Sequence, residues 1–246
     1  MRLLVSVSGP DDAAAAIEGG ADIIDAKDPS QGALGAVGPS VLREIIATAG
    51  GRRPVSMALG DAPDSSVPTR LAGLNAGDVS FVKLGFAAGV SGHQGAAHAR
   101  SLSAALAETG TAVVLAAYAD AGRDRLGRDA VIEIAASCGA TGVLLDTLDK
   151  RAARPVFAIL DPDDVAAWVA AAQRAGLMAA LAGSLGADEI ALALDTGADI
   201  AGVRGAVCDS GRTGRVSAAL VRALVRRMRD ASGEARDGRD GEAAVS

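Results

Sequence analysis

Aromatic residues are nearly missing from this chain: one Trp, one Tyr and three Phe make up 2% of 246 residues. Side chains that could stack on nucleobases are scarce, and a net charge of −6 offers no basic surface to a phosphate backbone, which argues against a nucleic-acid partner. Cysteine is equally sparse. Cys138 and Cys208 lie far apart and lack metal-ligand spacing, so neither a disulfide framework nor a cysteine metal site is expected. His93 and His98, five apart in a helical segment with no third ligand in view, read as a solvated helix face rather than a metal site. The N-terminus enters an apolar strand without a charged-then-apolar leader, and no stretch reads as a membrane segment; a reduced, cytoplasmic protein is the expectation.

Lysine is the most informative scarcity. Of 24 basic residues only Lys27, Lys83 and Lys150 are lysine. Arginine replaces lysine on a solvated surface at little cost, but its guanidinium does not lose a proton near neutral pH and cannot serve as an amine nucleophile. Three lysines retained at the ends of predicted strands point to chemistry or close phosphate contact. An arginine-leaning composition that left three by chance does not explain their shared position.

The composition is 50% hydrophobic, and with so few aromatics the core must be filled mostly by Ala, Val, Leu and Ile. Short apolar runs recur along the chain, each followed by a turn and an Ala-rich stretch of helical length, the pattern of βα units on a parallel sheet. Strands are predicted at Arg2–Val7, Asp22–Ala26, Pro54–Leu59, Val79–Leu84, Ala112–Ala117, Gly142–Leu145, Met178–Leu181 and Ile200–Val203. Several predicted helices end on a Gly that leads into the next strand: Gly20, Gly77, Gly139 and Gly197. Eight such units in a chain close to the ~250 residues typical of the fold predict a (β/α)8 TIM barrel. A dinucleotide-binding sheet would place Gly-x-Gly-x-x-Gly after the first strand, and that motif is missing there. Residues 1–229 read as a single catalytic barrel. Residues 230–246, with five acids against Arg236 and Arg239, read as a disordered polar tail.

In a β/α barrel the C-terminal strand ends converge on one face, where active sites lie. Lys27 ends the second strand, Lys83 lies at the end of the fourth and Lys150 follows the sixth. Asp25 shares a face with Lys27 by strand alternation, Asp146 ends the sixth strand, and Asp120 follows the fifth. Amines gathered with carboxylates suit imine chemistry, one lysine attacking a carbonyl while neighbours move protons. A single Asp/Lys pair would read as a structural ion pair at the barrel rim; three such pairs favour catalysis. Gly183 and Ser184 after the seventh strand, with Arg204 and Gly205 after the eighth, occupy the usual phosphate cradle of the fold. Tyr118 is a proton-donor candidate or a packing residue, Trp168 a packing residue, and Cys208 lines the mouth or packs.

Those residues sit in longer phrases: LLVSV at Leu3–Val7, GGADIIDAKDPSQGALGA at Gly19–Ala36, Gly60-Asp61, VKLG at Val82–Gly85, AAYADA at Ala116–Ala121, LLDT at Leu144–Thr147, LAGS at Leu181–Ser184 and GVRGAVC at Gly202–Cys208. Together they resemble the (5-formylfuran-3-yl)methyl phosphate synthase family, also called 4-(hydroxymethyl)-2-furancarboxaldehyde-phosphate synthase. The resemblance runs from the first strand to the eighth helix. It implies a lyase-type barrel, without metal or cofactor, that joins two molecules of glyceraldehyde 3-phosphate into a furan aldehyde phosphate with loss of phosphate and water, in a methanofuran-type pathway. It implies Lys27 as the Schiff-base lysine, with Asp25, Lys83, Asp146 and Lys150 assisting, and leaves self-association into a homo-oligomer open. The segment Arg151–Pro155 departs from the glycine-bearing loop of the family, and the tail has no counterpart in its core. Other readings of the same residues are a different Schiff-base aldolase, a triose-phosphate isomerising barrel, or a phosphosugar-binding barrel without catalysis.

Overall fold

The computed structural model describes residues 1–71, 74–152 and 154–242. Eight parallel strands pair in chain order and the eighth closes on the first, so the sheet is a complete barrel without edges. The first half runs β1 (Arg2–Val7), α1 (Pro10–Gly19), β2 (Ile23–Ala26), α2 (Pro39–Ala49), β3 (Val55–Ala62), α3 (Val67–Leu71), β4 (Phe81–Phe86) and α4 (Gly92–Leu106). The second half runs β5 (Ala112–Tyr118), α5 (Arg128–Ser137), β6 (Gly142–Asp146), α6 (Pro162–Arg174), β7 (Met178–Leu181), α7 (Glu189–Asp195), β8 (Ile200–Val203) and α8 (Ala218–Glu242).

Local chemistry sets the element ends. Pro at the first turn opens α1, α2 and α6, where its missing N–H is no loss. Ser91 and Gln94 form a reciprocal capping box on α4. Gly20, Gly77, Gly139 and Gly197 all have positive φ, 95° at Gly20, as the repeated helix-to-strand phrase predicts. Strand β2 begins one residue later than expected because the Asp22 side chain turns back to accept the N–H of Leu3 at 2.8 Å. Strand β3 runs on to Ala62 through a register shift between Ala58 and Asp61, with Gly60 at φ 93°.

Strand alternation divides the apolar residues into two layers. Outward-facing Val5, Ile24, Met57, Val82, Leu115, Leu145 and Leu181 pack under the helices, which bring large partners such as Ile45, Leu102, Val165 and Trp168 interleaved with small ones such as Ala13, Ala16, Ala99 and Ala172. Inward-facing Leu4, Ile23, Phe81, Val114, Leu144, Ala180 and Ile200 fill the barrel floor. The ionisable residues stand above that floor.

Helix α8 continues through Glu242, into the segment that the sequence marks as a polar tail from Asp230. Ala and Arg are good helix formers, and a helix already docked on the barrel through Val221, Leu224 and Met228 extends without a new nucleation cost. Residues 243–246 of that tail lie outside the described residues. Among the described residues no helix is long and apolar enough to cross a membrane.

Candidate active site

A cavity of about 350 Å3 opens at the C-terminal strand ends, lined by Lys27, Lys83, Lys150, Asp25 and Asp146 above the apolar floor. Asp25 is fully buried on β2. Its register partners on the neighbouring strands are Ser6 and Ser56, whose hydroxyls donate to its two oxygens at 2.9 and 2.8 Å. Lys83, from β4, stands 2.6 Å from the same carboxylate. Burial pushes the Asp25 carboxyl up, but Lys83, Lys27 and the serine hydroxyl outweigh it and hold the group below the usual carboxylate range.

Asp146 ends β6 and is also buried. Lys150, one helical turn along the chain, contacts Oδ1 directly and also donates to Thr147 Oγ1 at 3.1 Å. The Thr147 N–H donates to Asp146 Oδ1 at 2.8 Å. Desolvation opposes ionisation of Asp146, yet Lys150 and Lys27 bring its pKa down to about 2. Oδ2 is buried without a hydrogen-bond partner and lies 3.7 Å from Lys27 Nζ. Lys27 is thus held loosely. Burial lowers its pKa to about 8, helped by Lys83 and Lys150 and opposed by Asp146 and Asp25.

Asp120 does not line this cavity. Its carboxylate accepts the N–H groups of Leu148 and Asp149 at 2.6 and 2.8 Å, so it fixes the turn that carries Lys150. Gly183, Ser184, Arg204 and Gly205 do line the cavity. Gly183 (φ 93°) and Ser184 (φ 54°) are consecutive left-handed residues. Among the described residues the N–H groups of Gly183, Ser184 and Leu185 find no acceptor in the protein. These three successive amides are therefore donors left over beside the cavity.

Arg204 differs from its expected role as a free phosphate contact, because its donors are already engaged. Nε donates to the Arg212 carbonyl at 2.6 Å, Nη1 to the Ser6 carbonyl and Asp12 at 2.9 and 3.1 Å, and Nη2 to Ser8 Oγ and the Gly214 carbonyl at 3.3 and 3.0 Å. It is a buried strut joining β1 to the loop after β8. Arg212, unnoticed in the sequence, is the other guanidinium at the cavity. Its Nη2 donates to the Gly32 carbonyl at 2.7 Å, and its Nη1 is buried without a partner.

Other candidates resolve into structure. The Tyr118 hydroxyl donates to Asp61 rather than reaching Asp120, and Arg125 pairs with Asp61 at 3.1 Å while lying over the phenol ring. Trp168 is buried, its indole N–H on the Arg128 carbonyl at 3.2 Å. Cys208 is buried and is not among the residues lining the cavity. His93 is exposed on α4, and no group of three or more metal-ligating side chains is found among the described residues.

Fold and cavity define a class: closed β/α barrels with a charged pocket at the C-terminal strand ends. Two solved barrels share the architecture, phosphoribosyl anthranilate isomerase from Thermus thermophilus (TM-score 0.66, 16% identity, 94% of this chain and 99% of that one) and 3-hexulose-6-phosphate synthase from Salmonella typhimurium (0.64, 17%, 94% and 100%). At that identity they speak for the fold alone. The chain belongs to the 4-HFC-P synthase family, whose sequence pattern matches residues 3–225. It is 40% identical to the (5-formylfuran-3-yl)methyl phosphate synthase of Methanopyrus kandleri over 91% of this chain and 97% of that one. It is 35% identical to the synthase of the same name from Methanothermobacter thermautotrophicus, again over 91% and 97%. The protein is accordingly an enzyme of this family.

Proposed function

We propose that this protein condenses two molecules of glyceraldehyde 3-phosphate into (5-formylfuran-3-yl)methyl phosphate, with Lys27 as the imine-forming amine. The reaction is of the lyase type: one phosphate and two waters leave, which balances the two trioses against the six-carbon product. The observation that carries this reading is the contrast among the lysines. Lys83 and Lys150 are tied to Asp25 and Asp146, whereas Lys27 stands 3.7 Å from its nearest carboxylate oxygen with a pKa near 8. A substantial neutral fraction at mildly basic pH makes it the best nucleophile of the three.

In this scheme Lys27 Nζ adds to the carbonyl of one triose phosphate, and the carbinolamine oxygen leaves as water, protonated by Lys83 or Lys150. Asp146 Oδ2, free of hydrogen bonds and beside Lys27, removes the proton from the carbon next to the imine. The electron pair left on that carbon expels the phosphate. Aldol joining to the second triose, ring closure and dehydration follow, and water releases the amine.

The test incubates the protein with glyceraldehyde 3-phosphate, follows furan absorbance, and traps a parallel sample with borohydride for intact and peptide mass. Furan formation with a single adduct on Lys27, both lost in Lys27→Ala, is the expected result. An adduct on Lys150 would exchange the roles of the two lysines. Neither furan nor adduct from folded protein would defeat the reading.

A further inference from the structure

Charge pairing around the cavity leaves a remainder. Asp25 answers Lys83, Asp146 answers Lys150, and Asp12 answers Arg204. Lys27 shares Asp146, already held by Lys150. Arg212 lines the same cavity and forms no ion pair among the described residues. One face of its guanidinium is occupied, Nη2 on the Gly32 carbonyl at 2.7 Å. The other is not, since Nη1 is buried with no acceptor. A buried guanidinium N–H without a partner is costly unless something supplies the acceptor. Gly183, Ser184 and Leu185, whose amides also have no acceptor among the described residues, line the same cavity.

We propose that Arg212 is the phosphate ligand of this cavity, giving Nη1 to a phosphate oxygen of the bound triose while the amides after β7 take the others. Resting on the triose-phosphate reading of the site, the assignment makes Arg212 the residue that selects phosphorylated over plain aldehydes. Arg204 cannot play that part without releasing contacts that join β1 to the loop after β8. Because Nη2 holds Gly32 in the loop between β2 and α2, the same guanidinium ties the phosphate to the loop that follows Lys27. It also matters electrically. A phosphate dianion near Lys27 favours the protonated, unreactive amine, and a guanidinium on the phosphate offsets that pull.

The test titrates inorganic phosphate calorimetrically into wild type, Arg212→Ala and Arg212→Gln, and separately traps unphosphorylated glyceraldehyde on each with borohydride. A thermal melt of each variant accompanies the titration, and the Gln variant, which keeps the length of the aliphatic stem and a polar amide, remains informative if the Ala variant loosens the loop. Both variants are expected to lose phosphate affinity, and to raise KM for glyceraldehyde 3-phosphate, by roughly 10- to 100-fold, the worth of a charge-assisted hydrogen bond. Adduct formation with glyceraldehyde, which carries no phosphate, should fall by much less than phosphate affinity does. Wild-type phosphate affinity in the Gln variant would overturn the assignment and leave Arg212 as a loop tie. Failure of the lysine chemistry reads differently: no glyceraldehyde adduct in any form, with phosphate binding still dependent on Arg212, would defeat the imine and uphold the anion site.

Discussion

Lys27 and Lys83 are both buried, but Lys83 is locked 2.6 Å from Asp25 and Lys27 is not locked to anything. Its pKa near 8, against an ordinary 10.5, means that the amine is protonated below about 8 and free above it. Borohydride-trapped adduct should therefore increase with pH through a midpoint near 8 and level off above. The neighbours set the direction of further shifts. Lys150→Met removes a positive charge that depresses the pKa, so the midpoint should move up; Asp146→Asn removes the charge that supports the ammonium, so it should move down. A wild-type midpoint at the ordinary lysine value would remove the basis for Lys27 as nucleophile. Much of this cluster was legible in the sequence, because three lysines in a lysine-poor chain fell at strand ends and alternation put Asp25 on the face of Lys27. Ser6, Ser56 and Arg212 were not legible. Their roles depend on cross-strand register and on the path of a loop, and no local pattern encodes either. The same limit explains Arg204 and Asp120: each sits at the predicted place, but its hydrogen-bonding capacity is spent on the scaffold.

At the level of elements, the eight strands were readable because apolar runs bounded by glycine-capped helices leave little freedom, and only their ends moved by one to three residues. The loop after β7 shows what such reading leaves out. A glycine there suggested close ligand approach, yet its immediate neighbour is protein. A Cβ at Gly183 would lie 2.8 Å from Thr147 Cγ2 and 3.1 Å from the Thr147 nitrogen, at a φ of 93° that disfavours any side chain. Thr147 in turn donates its N–H to Asp146 and accepts from Lys150. Gly183→Ala should thus displace both the unpaired amides after β7 and the Asp146–Lys150 pair, lowering kcat/KM by roughly 10- to 100-fold, as small misplacements of reacting groups do. The barrel should still melt cooperatively. Unchanged kcat/KM would mean that the loop after β7 has no part in substrate positioning.

For the molecule as a whole, closure fixes how much of the chain is needed. Strand β8 pairs with β1, and helix α8 covers that seam: Val221 packs so closely on Gly19 that a Cβ there would sit 2.4 Å from it, and Leu224 and Met228 are buried beyond. Arg222 and Arg227 add exposed pairs to Glu18 and Asp188, which count for little in water. All of these anchors precede Asp230, and the family pattern ends at residue 225. We therefore propose 1–229 as the catalytic unit, although helix α8 itself continues to Glu242. A chain ending at Arg229 should keep its stability within about 1 kcal/mol and its furan synthesis unchanged, while its net charge falls from −6 to −3 on losing five acids and two arginines. A chain ending at Val221 is the contrast. It loses the buried Leu224 and Met228, each worth roughly 2–5 kcal/mol in a core, and should lose the cooperative transition. Thermal melts and product formation on the two truncations decide the boundary: if the longer one also unfolds, the helix beyond Arg229 belongs to the barrel.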